Sequence, residues 1–213
     1  MNQETREFYN KIAESWYNIR HWTIVEEELK KINKTWAGGK LLNIGCAHGP
    51  DFLPFDSNKF EFYGVDISKE LLKFAKRYSK KFKITFYLAL ANMKSLPFKD
   101  SSFDYVISVA AIHHLLNRDQ RIHALKEMRR VLKKEAFISV WNRDNPELPN
   151  EEIIEREWIH GKEVLKRKYY LYTKEGLKEE LIDAGFEIKK LETGRGDKNI
   201  LAVVKSTKVI KLK

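Results

Sequence analysis

The chain of 213 residues has one cysteine, Cys46, five prolines and no apolar run near the roughly 18 residues that span a bilayer. A single cysteine excludes an intrachain disulfide framework and any cysteine-cluster zinc site, and it points to a reducing, cytoplasmic compartment. The polar amino terminus does not read as a signal peptide. Internal repeats and low-complexity stretches are also lacking. What is abundant is apolar content, at 43%, which excludes wholesale disorder in a chain long enough for a sizeable core. Acidic residues are in deficit: 40 Lys and Arg stand against 30 Asp and Glu, giving a net charge of +10. That imbalance suits a polyanionic partner such as nucleic acid. A Lys- and Glu-rich surface of the thermophile kind accounts for the number of charges but not for their sign.

The most informative stretch is "KLLNIGCAHGPDF", followed by "FYGVDIS". An apolar strand enters a glycine-containing turn, and the next apolar run ends in Asp66. This is the layout of a nucleotide-cofactor site in an open α/β sheet. Gly45 and Gly49 let the backbone turn and approach a ligand, and Asp66 can accept hydrogen bonds from two ribose hydroxyls.

Periodicity supplies the remaining elements. Residues 4–16 read as an amphipathic helix, and Val25, Leu29 and Ile32 mark a second one. Strands are expected at 41–44, 60–65 and 84–88, with a short helix after Gly49 and a longer one capped by Ser68. "FDYVISVAAI" and "AFISVW" read as strands buried on both faces, flanking a helix over 118–132. Residues 142–172 read as irregular or helical. Thr173 caps a helix that Gly185 ends, and two strands, 186–191 and 200–204, follow with a turn too short for a parallel crossover. The alternation predicts an α/β, Rossmann-like, doubly wound sheet, mostly parallel with an antiparallel last strand.

These motifs resemble the class I S-adenosylmethionine-dependent methyltransferases. The resemblance rests on "NIGCAHG", "VDIS", "ANMKSLPF", "FDYVISVAAIHHL", "RRVLK" and "FISVW". It implies a seven-stranded sheet and S-adenosylmethionine as cofactor. A narrower resemblance, carried by "FYNKIAESWYNIRHWTIVEEEL", "AAIHHLLNRDQRIHALKEMRRVLK" and "KRKYYLYTKEGLKEELIDAGF", is to the tRNA wobble-uridine carboxymethyl O-methyltransferases. It implies tRNA as substrate and a small zinc-containing activator protein as a possible partner. Residues 1–213 are then one methyltransferase domain: helices over 1–36, a core over 40–205 with a substrate-side insertion at 142–172, and a basic tail at 206–213. The chain departs from the family pattern at Asn43 and Ala47, where an acid and a glycine are usual, and at Asn92, another usual acid. Two lost acids raise the prospect of a weakened cofactor site.

The resemblance assigns cofactor contacts to Gly45, Cys46, Gly49, Asp66, Ile67, Asn92, Met93 and Ala110, with packing behind the turn as the plainer role of Cys46. His113 and His114 close the central strand, where the transferred methyl is expected. Methylating an ionised carboxylate needs alignment and desolvation more than a base, and a bidentate arginine suits that task. Arg20 and Arg143 are the candidates. Trp141 is placed for stacking on a base, and Lys166, Arg167, Lys168 and Tyr169 mix cations with aromatics as RNA contact requires. No metal site is expected. Two other readings stay open: methylation of a small metabolite, and a regulator that binds S-adenosylmethionine or RNA with a degenerate catalytic site.

Overall fold

The computed structural model describes residues 3–206, except for the Arg195 side chain. Most of the expected basic tail lies outside the described residues. Helices α1 (Gln3–Ile19) and α2 (Glu26–Thr35) precede strand β1 (Gly39–Ile44). Strand β2 (Phe60–Asp66), helix α3 (Lys69–Phe82), β3 (Phe86–Leu90), β4 (Phe103–Val109), α4 (Arg118–Val131) and β5 (Leu132–Trp141) follow. A hairpin of β6 (Ile153–His160) and β7 (Glu163–Tyr170) comes next, then α5 (Lys174–Asp183), β8 (Phe186–Thr193) and β9 (Asn199–Ser206).

Seven strands form one sheet in the order β3-β2-β1-β4-β5-β9-β8, with β9 antiparallel to both neighbours. The first five run parallel, so β1, β2, β4 and β5 deliver their carboxyl ends to one edge. Alternation along β1 explains the double-sided core. Leu41 packs with Leu29 and Trp36 on one face, and Leu42 with Leu125 and Met128 on the other. Capping agrees with the sequence: Ser68, Asn117 and Thr173 each accept a backbone N–H from the first turn of α3, α4 and α5.

The short helix expected after Gly49 is a single 3-10 turn, Pro50–Phe52. One expectation is corrected. The segment 142–172, read as irregular or helical, contains a two-stranded antiparallel hairpin separate from the main sheet. Its alternation is masked because both outer faces carry charge: Glu155 stands opposite Lys168, and Glu157 opposite Lys166. Gly161, with a φ of 62°, opens the two-residue loop between His160 and Glu163, a hairpin signal in the sequence that the surrounding charge obscured. The segment is pinned at its base, where Arg143 N–H donates to Tyr172 O at 2.8 Å and Tyr172 N–H to Trp141 O at 3.0 Å.

Candidate active site

The carboxyl edge of the sheet opens into a cavity of about 630 Å³, roofed by α1 and the hairpin. The sheet side is made by strand tips. After β1 the chain turns so tightly that a Cβ on Gly45 would stand 2.6 Å from the Ala111 Cβ. Gly45 and Cys46 N–H groups both donate to Val65 O, at 2.8 and 3.0 Å, which locks the turn onto β2. Asp66 ends β2 with Oδ2 accepting from Ala47 N–H and Oδ1 from Ser68 N–H, each at 2.8 Å. Both carboxylate oxygens are thus anchored by the backbone, and each keeps further accepting capacity toward the cavity it lines. Burial pushes the Asp66 pKa up to about 6, against the pull of those N–H groups. Ala47 and Ala110, at the tips of β1 and β4, have φ of 48° and 50°, a region that costs an L-residue roughly 1–2 kcal/mol.

Asp51, which follows the glycine turn, also lines this end and was missed by the sequence reading. It is 6% exposed and accepts from Asn43 Nδ2 at 3.1 Å. Burial raises its pKa to about 6, against hydrogen bonds from Thr23 and Asn43.

The opposite end is built from rings. Trp141 and Tyr169 stack with centroids 4.3 Å apart, and His113 and His114 pack against Tyr169. His113 Nδ1 accepts the Trp141 N–H at 3.2 Å, and His114 Nε2 pairs with the Tyr9 hydroxyl at 2.9 Å. Burial, reinforced by the Arg167 charge, lowers the His113 pKa to about 3 and holds His114 well below the ordinary imidazole value. Both histidines are therefore neutral at physiological pH.

Arg167 points into this end of the cavity from β7 and is 8% exposed. Its guanidinium carbon lies 4.7, 4.3 and 4.2 Å from the ring centroids of Phe8, Tyr9 and Tyr169. Among the described residues no carboxylate pairs with it, and its buried Nε and Nη1 have no hydrogen-bond partner. Desolvation pulls its pKa below the usual arginine value. The roof is fastened to α1: Trp158 Nε1 donates to Ser15 Oγ at 3.2 Å, Trp16 packs on Trp158, and Lys11 pairs with Glu163. Helix α1 is in turn tied to α3, where the Ser68 hydroxyl donates to Asn10 Oδ1 at 2.8 Å.

Of the residues singled out from the sequence, Arg20, Gly45, Asp66, Ile67, Ala110, His113, His114, Trp141, Arg167 and Tyr169 line the cavity. Gly49 and Cys46 lie behind the turn. A Cβ on Gly49 would meet Phe86 at 2.7 Å, and one on Gly64 would meet the Cys46 sulfur at 2.7 Å. Burial holds the Cys46 thiol well above its ordinary pKa. Met93 packs into the core and Asn92 Oδ1 accepts from Lys94 N–H, both away from the lining. Arg143 is also outside it. Strand alternation separates the basic triplet: Lys166 and Lys168 face solvent while Arg167 turns inward. Tyr9, Asp51, Trp22 and Trp158 join the lining from positions the sequence did not mark as functional.

Residues 42–140 match the model of a methyltransferase domain. Over 196 residues the chain is 33% identical to a putative methyltransferase of Encephalitozoon cuniculi, covering 87% of this chain and 86% of that protein. Over 137 residues it is 31% identical to a tRNA (carboxymethyluridine(34)-5-O)-methyltransferase of Xenopus tropicalis, covering 62% of this chain and 20% of that much longer protein. The crystal structure of an S-adenosylmethionine-dependent methyltransferase from Clostridium acetobutylicum shares the fold, with a TM-score of 0.67 at 14% identity over 95% of this chain and 98% of that one. With a glycine turn on β1, an acid ending β2, an open cavity above them and a methyltransferase relative matched over 87% of this chain, the chain belongs to the S-adenosylmethionine-dependent methyltransferase family.

Proposed function

We propose that this protein methylates the carboxylate of 5-carboxymethyluridine at the wobble position of tRNA, in the cytoplasm. The observation that carries the reading is Arg167. A permanently charged guanidinium, buried under three rings with two nitrogens unpaired, is a receptor for an anion of planar geometry. Its neighbours suit a nucleobase, because Trp141 and Tyr169 offer stacked aromatic surface at the same end of the cavity. The relatives named for carboxymethyluridine methylation supply the substrate that unites these features.

The acidic end fits the cofactor. Asp66 faces the cavity where a ribose diol would be held, and Gly45, where a Cβ would collide with Ala111, keeps the β1 turn tight beside it. S-adenosylmethionine bound there supplies an electrophilic methyl group. Arg167 orients the acceptor carboxylate through two N–H groups and leaves one oxygen lone pair open toward the methyl. The methyl would pass to that oxygen with loss of its bond to sulfur, so that a carboxylate and a sulfonium would become a methyl ester and a thioether. No proton is transferred, so the neutral His113 and His114 act by shape and by excluding water. Arg20, whose guanidinium lies 5.1 Å from the Trp16 ring, borders the entrance, where a phosphate can meet it.

The test is incubation with labelled S-adenosylmethionine and unfractionated tRNA bearing carboxymethyluridine, followed by nucleoside analysis. An alkali-labile label at that nucleoside is expected. Label on another nucleoside refutes the acceptor. Transfer to small carboxylic acids but not to tRNA replaces the reading with metabolite methylation, and no transfer to either supports a regulator.

A further inference from the structure

Position 43 holds an amide where the family usually has an acid, yet the cavity has not lost a carboxylate. Asn43 is fully buried on β1, and its Nδ2 donates to Asp51 at 3.1 Å. Its Oδ1 is buried with no hydrogen-bond partner among the described residues. Asp51 stands on the 3-10 turn, is 6% exposed and lines the cavity beside Gly45, Ala47 and Thr23. No ion pair among the described residues includes Asp51, and its recorded partners are the Asn43 amide and the Thr23 side chain. A buried acid with neutral partners, facing a ligand cavity, is stabilised by a cationic ligand group. Asp66 takes the ribose end in the reading above. The amino-acid end of the cofactor, which carries an ammonium group, is then left to the neighbouring β1 turn.

We propose that Asp51 is the receptor for the α-ammonium group of S-adenosylmethionine and that Asn43 is its positioning residue. The carboxylate that residue 43 lacks is supplied eight positions later, and the amide aims it. The turn makes the exchange feasible, because Gly49 in a left-handed conformation (φ 94°) returns the chain toward β1. The cofactor site is therefore rearranged rather than weakened. This inference depends on the cofactor and not on the tRNA acceptor, so failure of either leaves the other standing.

Calorimetry with three ligands tests it. S-adenosylmethionine and S-adenosylhomocysteine carry the ammonium; 5′-methylthioadenosine lacks it. Asp51→Asn is expected to weaken the first two alike, about 10- to 100-fold, the loss of one charge-assisted hydrogen bond, and to leave the third within about twofold. Asn43→Asp added to Asp51→Asn is expected to recover most of the lost affinity, because the acid–amide pair is restored in reverse. Equal loss for all three ligands would reduce Asp51 to a turn-shaping residue and overturn the proposal. Loss confined to S-adenosylmethionine would assign Asp51 to the sulfonium, and unchanged affinities would remove it from the site. If Asp51→Asn does not fold, Asp51→Glu, which keeps the charge but displaces it, decides by the same three ligands.

Discussion

At the sheet end of the cavity, the surface offered to a ligand is backbone and carboxylate: the Gly45 turn, Asp51 and Asp66. At the hairpin end it is rings around a buried guanidinium, Tyr9, Trp141, Tyr169 and Arg167, with Arg156 and Glu157 of β6 also in the lining. The first is supported by parallel strands buried on both faces, the second by a helix and a hairpin that clasp each other outside the sheet. The contrast locates two jobs. On the proposed reading, the strand edge holds the methyl donor and the added roof holds the acceptor.

The contrast breaks most visibly at Arg167. Arg167→Ala is expected to lower kcat/KM on carboxymethylated tRNA by about 100- to 1000-fold, the loss of roughly 3–4 kcal/mol from two charge-assisted bonds, while calorimetry shows unchanged cofactor affinity. Arg167→Lys is expected to fall nearly as far, since an ammonium lacks the planar fork. A parallel loss of cofactor binding would merge the two ends into one site. The reciprocal change is Asp66→Ala, expected to cost about 1.5–3 kcal/mol in S-adenosylmethionine affinity by calorimetry. It also frees the Ala47 and Ser68 N–H groups, so a lower melting temperature is expected alongside.

Acidity sharpens the same division. Asp51 and Asp66 have pKa values raised to about 6, so the folded, ligand-free protein binds more protons than the unfolded chain between about pH 4 and 6. Its stability contribution from these groups is present at low pH and is lost as pH rises through that window. Binding a cationic cofactor needs the ionised forms, so the rise in melting temperature with S-adenosylmethionine is expected to grow from pH 5 to pH 7. The hairpin end behaves otherwise: single-turnover methyl transfer with saturating cofactor is expected to stay flat from pH 6.5 to 8, because His113 and His114 are neutral throughout. A rate rise there, abolished by His113→Ala or His114→Ala, would point to an acceptor that must be deprotonated.

Smaller effects are expected outside the cavity. Replacing Lys166 and Lys168 by Ala is expected to flatten the slope of log affinity for tRNA against log salt by about one unit per lost phosphate contact, with catalysis on bound substrate intact. Lys166 already pairs with Glu155 and Glu157, so Lys168 is expected to carry more of the change. Ala47→Gly relieves a left-handed alanine and is expected to raise stability by about 1 kcal/mol or less in denaturant melts.

The sheet end was legible in the sequence because its signals are local. A glycine turn after an apolar run and an acid after the next one specify strand tips at fixed spacing. Caps such as Ser68 and Thr173 placed the helices for the same reason. Asp51 escaped because its pairing with Asn43 runs across the turn and belongs to no motif. The hairpin end was less legible because its alternation is written in Glu and Lys, and its meaning depends on distant pairing. Nothing local distinguishes Arg167 from Lys166 and Lys168; the pleat of β7 and its docking on α1 turn one cation inward and leave two outside.

Asp51 and Asp66 stand on the strand side of the cavity and Arg167 on the hairpin, and on the proposed reading this has a consequence for turnover. The reacting atoms carry opposite charges, a sulfonium and a carboxylate. Methyl transfer cancels both at once, leaving a thioether and an ester. The ester no longer pairs with Arg167, whereas the ammonium that Asp51 is proposed to hold is unchanged by the reaction. The reaction therefore loosens the acceptor product and leaves the spent donor held, so the methylated acceptor is expected to depart first.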